Sequence, residues 1–140
     1  MASIRREIVI EASPEMVWDA VSDVGAVHSR LAPGFVVDTK MDGDARIVTF
    51  GSGLVARELI VDVNQQARRL VWAVVGGRLK HHNASLQVLA ESDGHSRVVW
   101  IADLLPDDLA GTIAGMIEHG MGVMKQTLER VATGGEFHMR

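Results

Sequence analysis

The periodicity of hydrophobic residues limits the folds open to this chain more than any other feature of the sequence. From residue 35 to residue 105, apolar and polar side chains alternate with a period of two, which is typical of β-strands. Short segments rich in glycine, aspartate and asparagine separate the alternating runs, and such short connections predict an antiparallel meander. The predicted strands are Phe35–Met41, Arg46–Phe50, Leu54–Asn64, Arg69–Val75, Leu79–Ala90 and Arg97–Leu105.

One further strand and two short helices are predicted before this meander. The segment from Ile4 to Glu11 alternates like a strand. Ser13 is suited to cap a helix, and Pro14 is suited to its first position. A second short helix, from about Ala26 to Leu31, is expected to end before Pro33, because the residue that precedes a proline avoids the helical conformation.

A long amphipathic helix is predicted after the meander, from Pro106 to about Thr133. Its apolar positions recur mostly in steps of three and four, which places them on one stripe: Leu109, Ile113, Met116, Ile117, Gly120, Met124, Leu128 and Val131. The helix must bury this stripe against one face of the sheet, because no other element is available to cover either surface. A twisted sheet around one helix is concave. The sequence therefore predicts an α+β fold in which a seven-stranded curved antiparallel sheet wraps around the long C-terminal helix, with a cavity between them. We expect a single domain over residues 1–134 and a frayed tail over residues 135–140.

The composition restricts the partners and cofactors that we expect. The 140 residues carry a net charge of −4, which argues against nucleic acid and anionic membranes, since both attract basic surfaces. The sequence has no cysteine, which excludes disulfides, thiolate catalysis and cysteine zinc sites. No apolar run approaches the ~18 residues of a membrane span, and no signal-peptide pattern is present, so we expect a cytoplasmic protein without membrane insertion. We expect no metal and no cofactor, and a homodimer is left open.

Three short motifs, in this order along the chain, resemble a known family. They are Ala12–Trp18 at the first strand-to-helix junction, Leu31–Gly34 after the second helix, and Ser96–Trp100 leading to Pro106. From about Ile4 to Val131 the chain resembles the START-like superfamily, specifically its bacterial polyketide cyclase/dehydrase-like (SRPBCC) members. The resemblance implies a helix-grip fold with a hydrophobic cavity under the long helix. Such families bind lipids, hormones, polyketides or other apolar molecules, and some members cyclise or dehydrate them while others assist partner proteins. No catalytic residue is implied, because the family has no universal catalytic motif.

The long helix contains four glycines, each of which costs about 1 kcal/mol of helix stability relative to alanine. They are Gly111, Gly115, Gly120 and Gly122, and methionines accompany them. One interpretation is a pliable cavity wall, because small residues let a ligand approach and methionine adapts to irregular shapes. The other interpretation is close packing of the helix on the sheet. Five residues of this helix are predicted to contact a ligand, namely Ile113, Met116, Ile117, Gly120 and Met124.

Two polar residues of the predicted strands are candidates for chemistry. His81 and His82 must point to opposite faces of one strand, and His82 shares the more apolar face. We predict that His82 faces the cavity as a polar anchor or an acid/base group, while a hydrogen-bonded structural histidine is the alternative. Glu58 and Arg57 occupy opposite faces of another strand, so that one of these charges faces an apolar side. The alternative is that bending of the strand leaves both at an edge.

Three aromatic or imidazole side chains complete the predicted ligand site. His28 points inward near the cavity mouth if the helical register continues past Gly25. Trp72 and Trp100 are predicted to fill the core or to line the cavity wall, and their indole N–H groups need a partner in the protein or on a ligand.

Three functions remain open from the sequence. The first is a non-catalytic binding protein for a small apolar molecule, which the lack of a recognisable nucleophile–base set favours. The second is a cyclase or dehydratase-type enzyme that uses His82 as acid/base and Glu58 as its partner. The third is a partner-binding module, which predicts an exposed apolar patch larger than a few hundred Å².

Overall fold

A computed structural model describes residues 2–134 of the chain as one open antiparallel sheet with helices on one of its faces. The strands are β1 (Ala2–Ile10), β2 (Val36–Asp42), β3 (Ala45–Phe50), β4 (Val55–Asn64), β5 (Arg69–Val75), β6 (His81–Ala90) and β7 (Ser96–Leu105). The helices are α1 (Pro14–Ser22), a π-helical turn (Val27–Leu31) and α2 (Ala110–Ala132), with 3₁₀ turns at Ser92–Gly94 and Asp107–Leu109. We call the face of the sheet that packs on the helices the inner face.

The strand order is β1-β7-β6-β5-β4-β3-β2, and every neighbouring pair is antiparallel. Strands β2 to β7 follow one another as a meander, and β1 pairs with β7 at one edge of the sheet. The segment that contains α1 and the π-helical turn connects β1 to β2, which forms the other edge. This arrangement confirms the predicted seven-stranded antiparallel sheet, the long C-terminal helix and the two short helices after the first strand. None of the helices within residues 2–134 is both long enough and apolar enough to cross a bilayer.

The boundaries of the elements differ from the predicted ones where local geometry intervenes. The helix α2 begins at Ala110 rather than at Pro106, because Asp107–Leu109 form a tighter turn in which the Leu109 N–H donates to the Pro106 carbonyl at 3.2 Å. Val131 was predicted to continue the buried stripe of α2, but it is 52% exposed, and the buried positions end at Leu128. The predicted domain bounds stay a prediction, since the predicted tail at residues 135–140 lies outside the described part of the chain.

Two hydrogen bonds of serine side chains fix the start of α1. The Ser13 hydroxyl accepts a hydrogen bond from the Met16 N–H at 3.1 Å, as expected for the cap of a helix that begins with proline. The fully buried Ser96 hydroxyl donates to the Ala12 carbonyl at 2.7 Å, and this bond joins the first residue of β7 to the segment between β1 and α1. The first bond caps α1, and the second joins the segment before α1 to the sheet.

Two irregularities change which side chains reach the inner face. The register shifts between Val36 and Asp38 in β2 and between Ile60 and Asp62 in β4. Such bulges bend a strand and increase its twist. After the first of them Thr39 is buried, whereas strict alternation from Val36 would bury Asp38. The bulges therefore contribute to the curvature that a sheet needs to surround a helix.

Candidate functional site

A cavity of about 100 Å³ lies between the inner face of the sheet and α2. All five residues of α2 that were predicted to contact a ligand line this cavity, namely Ile113, Met116, Ile117, Gly120 and Met124. Leu70 and Leu86 of the sheet and Val27 of the π-helical turn are among the other apolar side chains of the wall. The space is therefore enclosed mainly by aliphatic and aromatic groups, as is usual for sites that bind small molecules.

Three neighbouring strands place aromatic or imidazole groups in this wall. Trp72 of β5, His82 of β6 and Trp100 of β7 all line the cavity. The Trp72 and Trp100 rings meet edge to face, with centroids 5.6 Å apart and planes at 69°. Their contact follows from the register, since Trp72 is opposite Ala84 and Trp100 is opposite Leu86, two residues further along the same face of β6. Direct contact with a ligand stays a prediction for these residues.

Two nitrogen atoms of this wall are buried without a hydrogen bond. Neither His82 Nδ1 nor Trp100 Nε1 has a partner among residues 2–134. By contrast, the Trp18 indole N–H, which belongs to α1, donates to Gln65 Oε1 at 2.6 Å. Burial lowers the pKa of His82 below its ordinary value, and the charge of neighbouring His81 lowers it further. The His82 ring is therefore neutral near pH 7 and presents one donor and one acceptor nitrogen.

A buried ion pair forms another part of the wall. Glu58 of β4 and Arg46 of β3 are only 8% and 5% exposed, and Arg46 Nε donates to Glu58 Oε1 at 2.8 Å. Arg46 also donates to the Val24 carbonyl at 3.2 Å, and its guanidinium lies 5.4 Å from the centre of the Trp72 ring. The alternative that bending leaves Glu58 at an edge is therefore wrong. An inward carboxylate is tolerated here because a guanidinium neutralises it.

Reasoning from the sequence missed Arg46, although a signal was present. Arg46 alternates with Val48 and Phe50, so its parity places it on the apolar face of β3. Arg46 is directly opposite Glu58 in the sheet, a pairing that depends on the register between β3 and β4. Arg57 is exposed instead and donates to Asp42 at 2.7 Å.

The four glycines of α2 differ in their surroundings. A Cβ atom on Gly120 would lie 2.8 Å from Cε2 of Phe35, which also lines the cavity. At Gly111, Gly115 and Gly122 a Cβ atom would meet nothing within 4 Å. Close packing therefore explains Gly120, whereas the other three glycines leave open space beside the helix.

His28 is the one predicted ligand residue that is not part of the cavity wall. It belongs to the π-helical turn, and its Nδ1 lies 3.1 Å from Oγ1 of Thr39 on β2. Its role in ligand binding stays a prediction.

A second, outer pocket of about 240 Å³ lies beside the cavity. It is formed by the start of β4, the connection between β5 and β6, and the first turns of α2. Ile113 and Met116 line both the cavity and this outer pocket, so these two side chains lie between the two spaces.

Comparison with known proteins places the chain among proteins of this architecture. An uncharacterized protein from Bacillus thuringiensis superposes with a TM-score of 0.81 at 17% identity, over 91% of this chain and 98% of that one. A protein from Thermobifida fusca has a TM-score of 0.77 and 28% identity, over 93% of this chain and 95% of its own. The di-domain ARO/CYC BexL from the BE-7585A biosynthetic pathway has a TM-score of 0.80 and 15% identity, over 94% of this chain and 47% of that longer one.

The comparison by sequence gives the family. No curated protein matches the chain. The family model described as "Polyketide cyclase / dehydrase and lipid transport" matches residues 1–136, which is nearly the whole length. The expected START-like, SRPBCC-type relationship is thereby confirmed, and the chain belongs to the polyketide cyclase/dehydrase and lipid transport family.

Proposed function

We propose that this protein binds a small, mainly apolar molecule in the cavity between the sheet and α2. The observation that carries the proposal is the combination of an apolar wall with two buried nitrogen atoms, His82 Nδ1 and Trp100 Nε1, that have no partner within residues 2–134. Buried polar groups normally form hydrogen bonds, since leaving one unpaired costs about 1–3 kcal/mol. A ligand with a polar group would recover this energy.

The size of the cavity limits what it holds without rearrangement. An engineered cavity of about 150 Å³ in another protein binds benzene. The present cavity, at about 100 Å³, is suited to a group no larger than a single ring or a short chain. The outer pocket beyond Ile113 and Met116 offers further room for a longer molecule.

A titration with toluene tests the proposal, because toluene is a single ring without polar atoms. Calorimetry should detect saturable binding to the unaltered protein. Val48→Phe should abolish binding, since Val48 is buried and lines the cavity. The matched control is Ile47→Phe, which adds the same ring at the next residue of β3, where the side chain points to the opposite face. Toluene binding that survives Val48→Phe, or no binding to the unaltered protein, would contradict the proposal.

A cyclase or dehydratase-type activity is the second candidate, and one observation favours it. His82 and Glu58 line the same cavity, and the lowered pKa of His82 keeps its ring able to accept a proton near neutral pH. Cyclisation of a polyketide-like chain needs removal of a proton next to a carbonyl group. We therefore expect an enzyme of this kind to catalyse the exchange of such protons.

This activity is measurable without the natural substrate. Phenylacetone dissolved in D₂O should exchange its acidic protons faster with the protein than without it, as followed by NMR. His82→Gln should abolish the acceleration, while His81→Gln, which changes the exposed neighbour, should retain it. Exchange that is equally fast with the unaltered protein, His82→Gln and His81→Gln would contradict a catalytic role of His82 and leave binding as the proposed function.

A partner-binding role is favoured by a different surface. Two large aliphatic side chains on the outer face of β4, Leu59 and Val61, are 38% and 58% exposed and line neither the cavity nor the outer pocket. Such a surface is suited to a second protein or to a homodimer. Sedimentation equilibrium tests the homodimer, and a Leu59→Lys variant should remain monomeric if this face is responsible.

A further inference from the structure

The hydrogen-bonding groups of the cavity wall define the chemistry of the ligand more closely than the apolar character of the wall does. The Trp100 indole N–H is a donor only, so its missing partner must be an acceptor atom. His82 Nδ1 belongs to a neutral ring and is suited to either role, depending on the tautomer. Trp100 is opposite Leu86, four residues along β6 from His82, so the two nitrogens belong to different stretches of the wall.

The ion pair argues against a charged ligand. Arg46 is neutralised by Glu58 and also donates to the Val24 carbonyl. A carboxylate in the cavity would therefore lie near another carboxylate, without a free cation among the described lining residues to offset its loss of hydration. A positively charged ligand would likewise lie near the Arg46 guanidinium. A neutral ligand avoids both penalties.

The two adjoining spaces favour an elongated ligand. Ile113 and Met116 are half-buried and line both the cavity and the outer pocket. Both belong to the first two turns of α2, where a Cβ atom on Gly111 or Gly115 would meet nothing within 4 Å. An apolar chain that leaves the cavity between the Ile113 and Met116 side chains would enter a pocket with largely aliphatic walls.

We propose that the ligand is an elongated apolar molecule whose part inside the cavity is uncharged and carries a hydroxyl or carbonyl oxygen that accepts a hydrogen bond from the Trp100 indole N–H, and whose apolar body extends past Ile113 and Met116 into the outer pocket. This inference rests on the proposed binding function and adds the chemical class of the ligand to it.

Three single-ring probes of nearly equal shape test the polar part. They are p-cresol, p-xylene and p-toluate, which carry a hydroxyl, a methyl and a carboxylate at the same ring position. We expect p-cresol to bind at least as tightly as p-xylene although water solvates it better, and p-toluate to bind more than about tenfold more weakly. Trp100→Phe should lower the preference for p-cresol over p-xylene by about tenfold. Trp18→Phe is the matched control and should leave the preference unchanged, since Trp18 donates to Gln65 instead.

A measurement on the unaltered protein keeps the test independent of how well Trp100→Phe folds. The chain has three tryptophans, so a ¹⁵N–¹H spectrum should contain three indole signals. The Trp100 signal should move downfield with p-cresol and not with p-xylene. Equal effects of the two probes, together with tighter binding of p-xylene, would overturn the proposed ligand class and leave apolar binding intact. Failure of every probe to bind would overturn the binding function itself.

The elongated part is tested with 4-alkylphenols of increasing chain length. We expect affinity to rise about threefold to fourfold for each added methylene that enters the outer pocket. Thr112→Trp should remove this gain and leave p-cresol binding unchanged, because Thr112 is exposed and lines the outer pocket but not the cavity. An affinity that falls with chain length in the unaltered protein would overturn the proposed path.

Discussion

Alanine substitutions at two glycines of α2 should change stability in opposite directions. Alanine is favoured over glycine by about 1 kcal/mol inside a helix. At Gly115 nothing lies within 4 Å of the added Cβ, so this gain should be realised in full. At Gly120 the added Cβ would lie 2.8, 3.2 and 3.3 Å from three atoms of the Phe35 ring. Carbon atoms normally approach to 3.5–4.0 Å, so the ring must move by about 1 Å.

Movement of the Phe35 ring is costly because its neighbours confine it. Its centre lies 5.3 Å from the Phe50 ring and 5.2 Å from the His119 ring, each at a steep angle. Overpacking of this kind costs about 1–3 kcal/mol. After the gain in helix propensity is subtracted, Gly120→Ala should destabilise the protein by up to about 2 kcal/mol, while Gly115→Ala should stabilise it by about 1 kcal/mol.

Urea unfolding followed by tryptophan fluorescence measures this difference. The two variants should differ by about 1–3 kcal/mol in free energy of unfolding, or by several degrees in melting temperature. Phe35→Leu should relieve the contact, so that Gly120→Ala costs less in that background than in the unaltered protein. Equal stabilisation by both alanines would refute the packing that we describe between α2 and Phe35.

Three further predictions concern the buried polar groups. Glu58→Gln should destabilise the protein by about 3–5 kcal/mol, because it leaves the Arg46 guanidinium buried without its carboxylate. Arg46→Met combined with Glu58→Leu should cost much less, and equal urea midpoints for the single and the double variant would contradict this. The lowered pKa of His82 means that the unfolded chain binds a proton more readily, so stability should fall as the pH drops below about 6.5. His82→Gln should therefore lose less stability than the unaltered protein between about pH 7 and pH 5, and parallel pH profiles would show that folding does not lower the pKa of His82. Ser96→Ala should cost about 1–3 kcal/mol, because the Ala12 carbonyl loses the hydroxyl that donates to it at 2.7 Å, and thermal unfolding measures this loss.

The sequence was most informative where a local pattern determines the structure. The period of two and the short turns predicted all seven strands, and β5 was predicted to the residue, because alternation and turn chemistry are properties of the nearby chain. Strand parity also placed His82 on the more apolar face of its strand, and His82 lines the cavity.

The sequence was less informative where distant segments meet. The four glycines of α2 look alike in the sequence, and only the position of Phe35 distinguishes Gly120 from the others. The partner of Glu58 depends on the register between β3 and β4, and the contact of Thr39 with His28 follows a bulge in β2. Such contacts arise from tertiary packing, which periodicity does not contain.

Intermolecular nuclear Overhauser effects between p-cresol and a methyl-labelled sample of the protein test the central claim most directly. If the ligand occupies the space between the sheet and α2, its ring protons should show effects to the methyl groups of Ile113, Met116 and Leu86. Effects confined to the exposed methyl groups of Leu59 and Val61, which line neither the cavity nor the outer pocket, would place the ligand elsewhere and contradict the account.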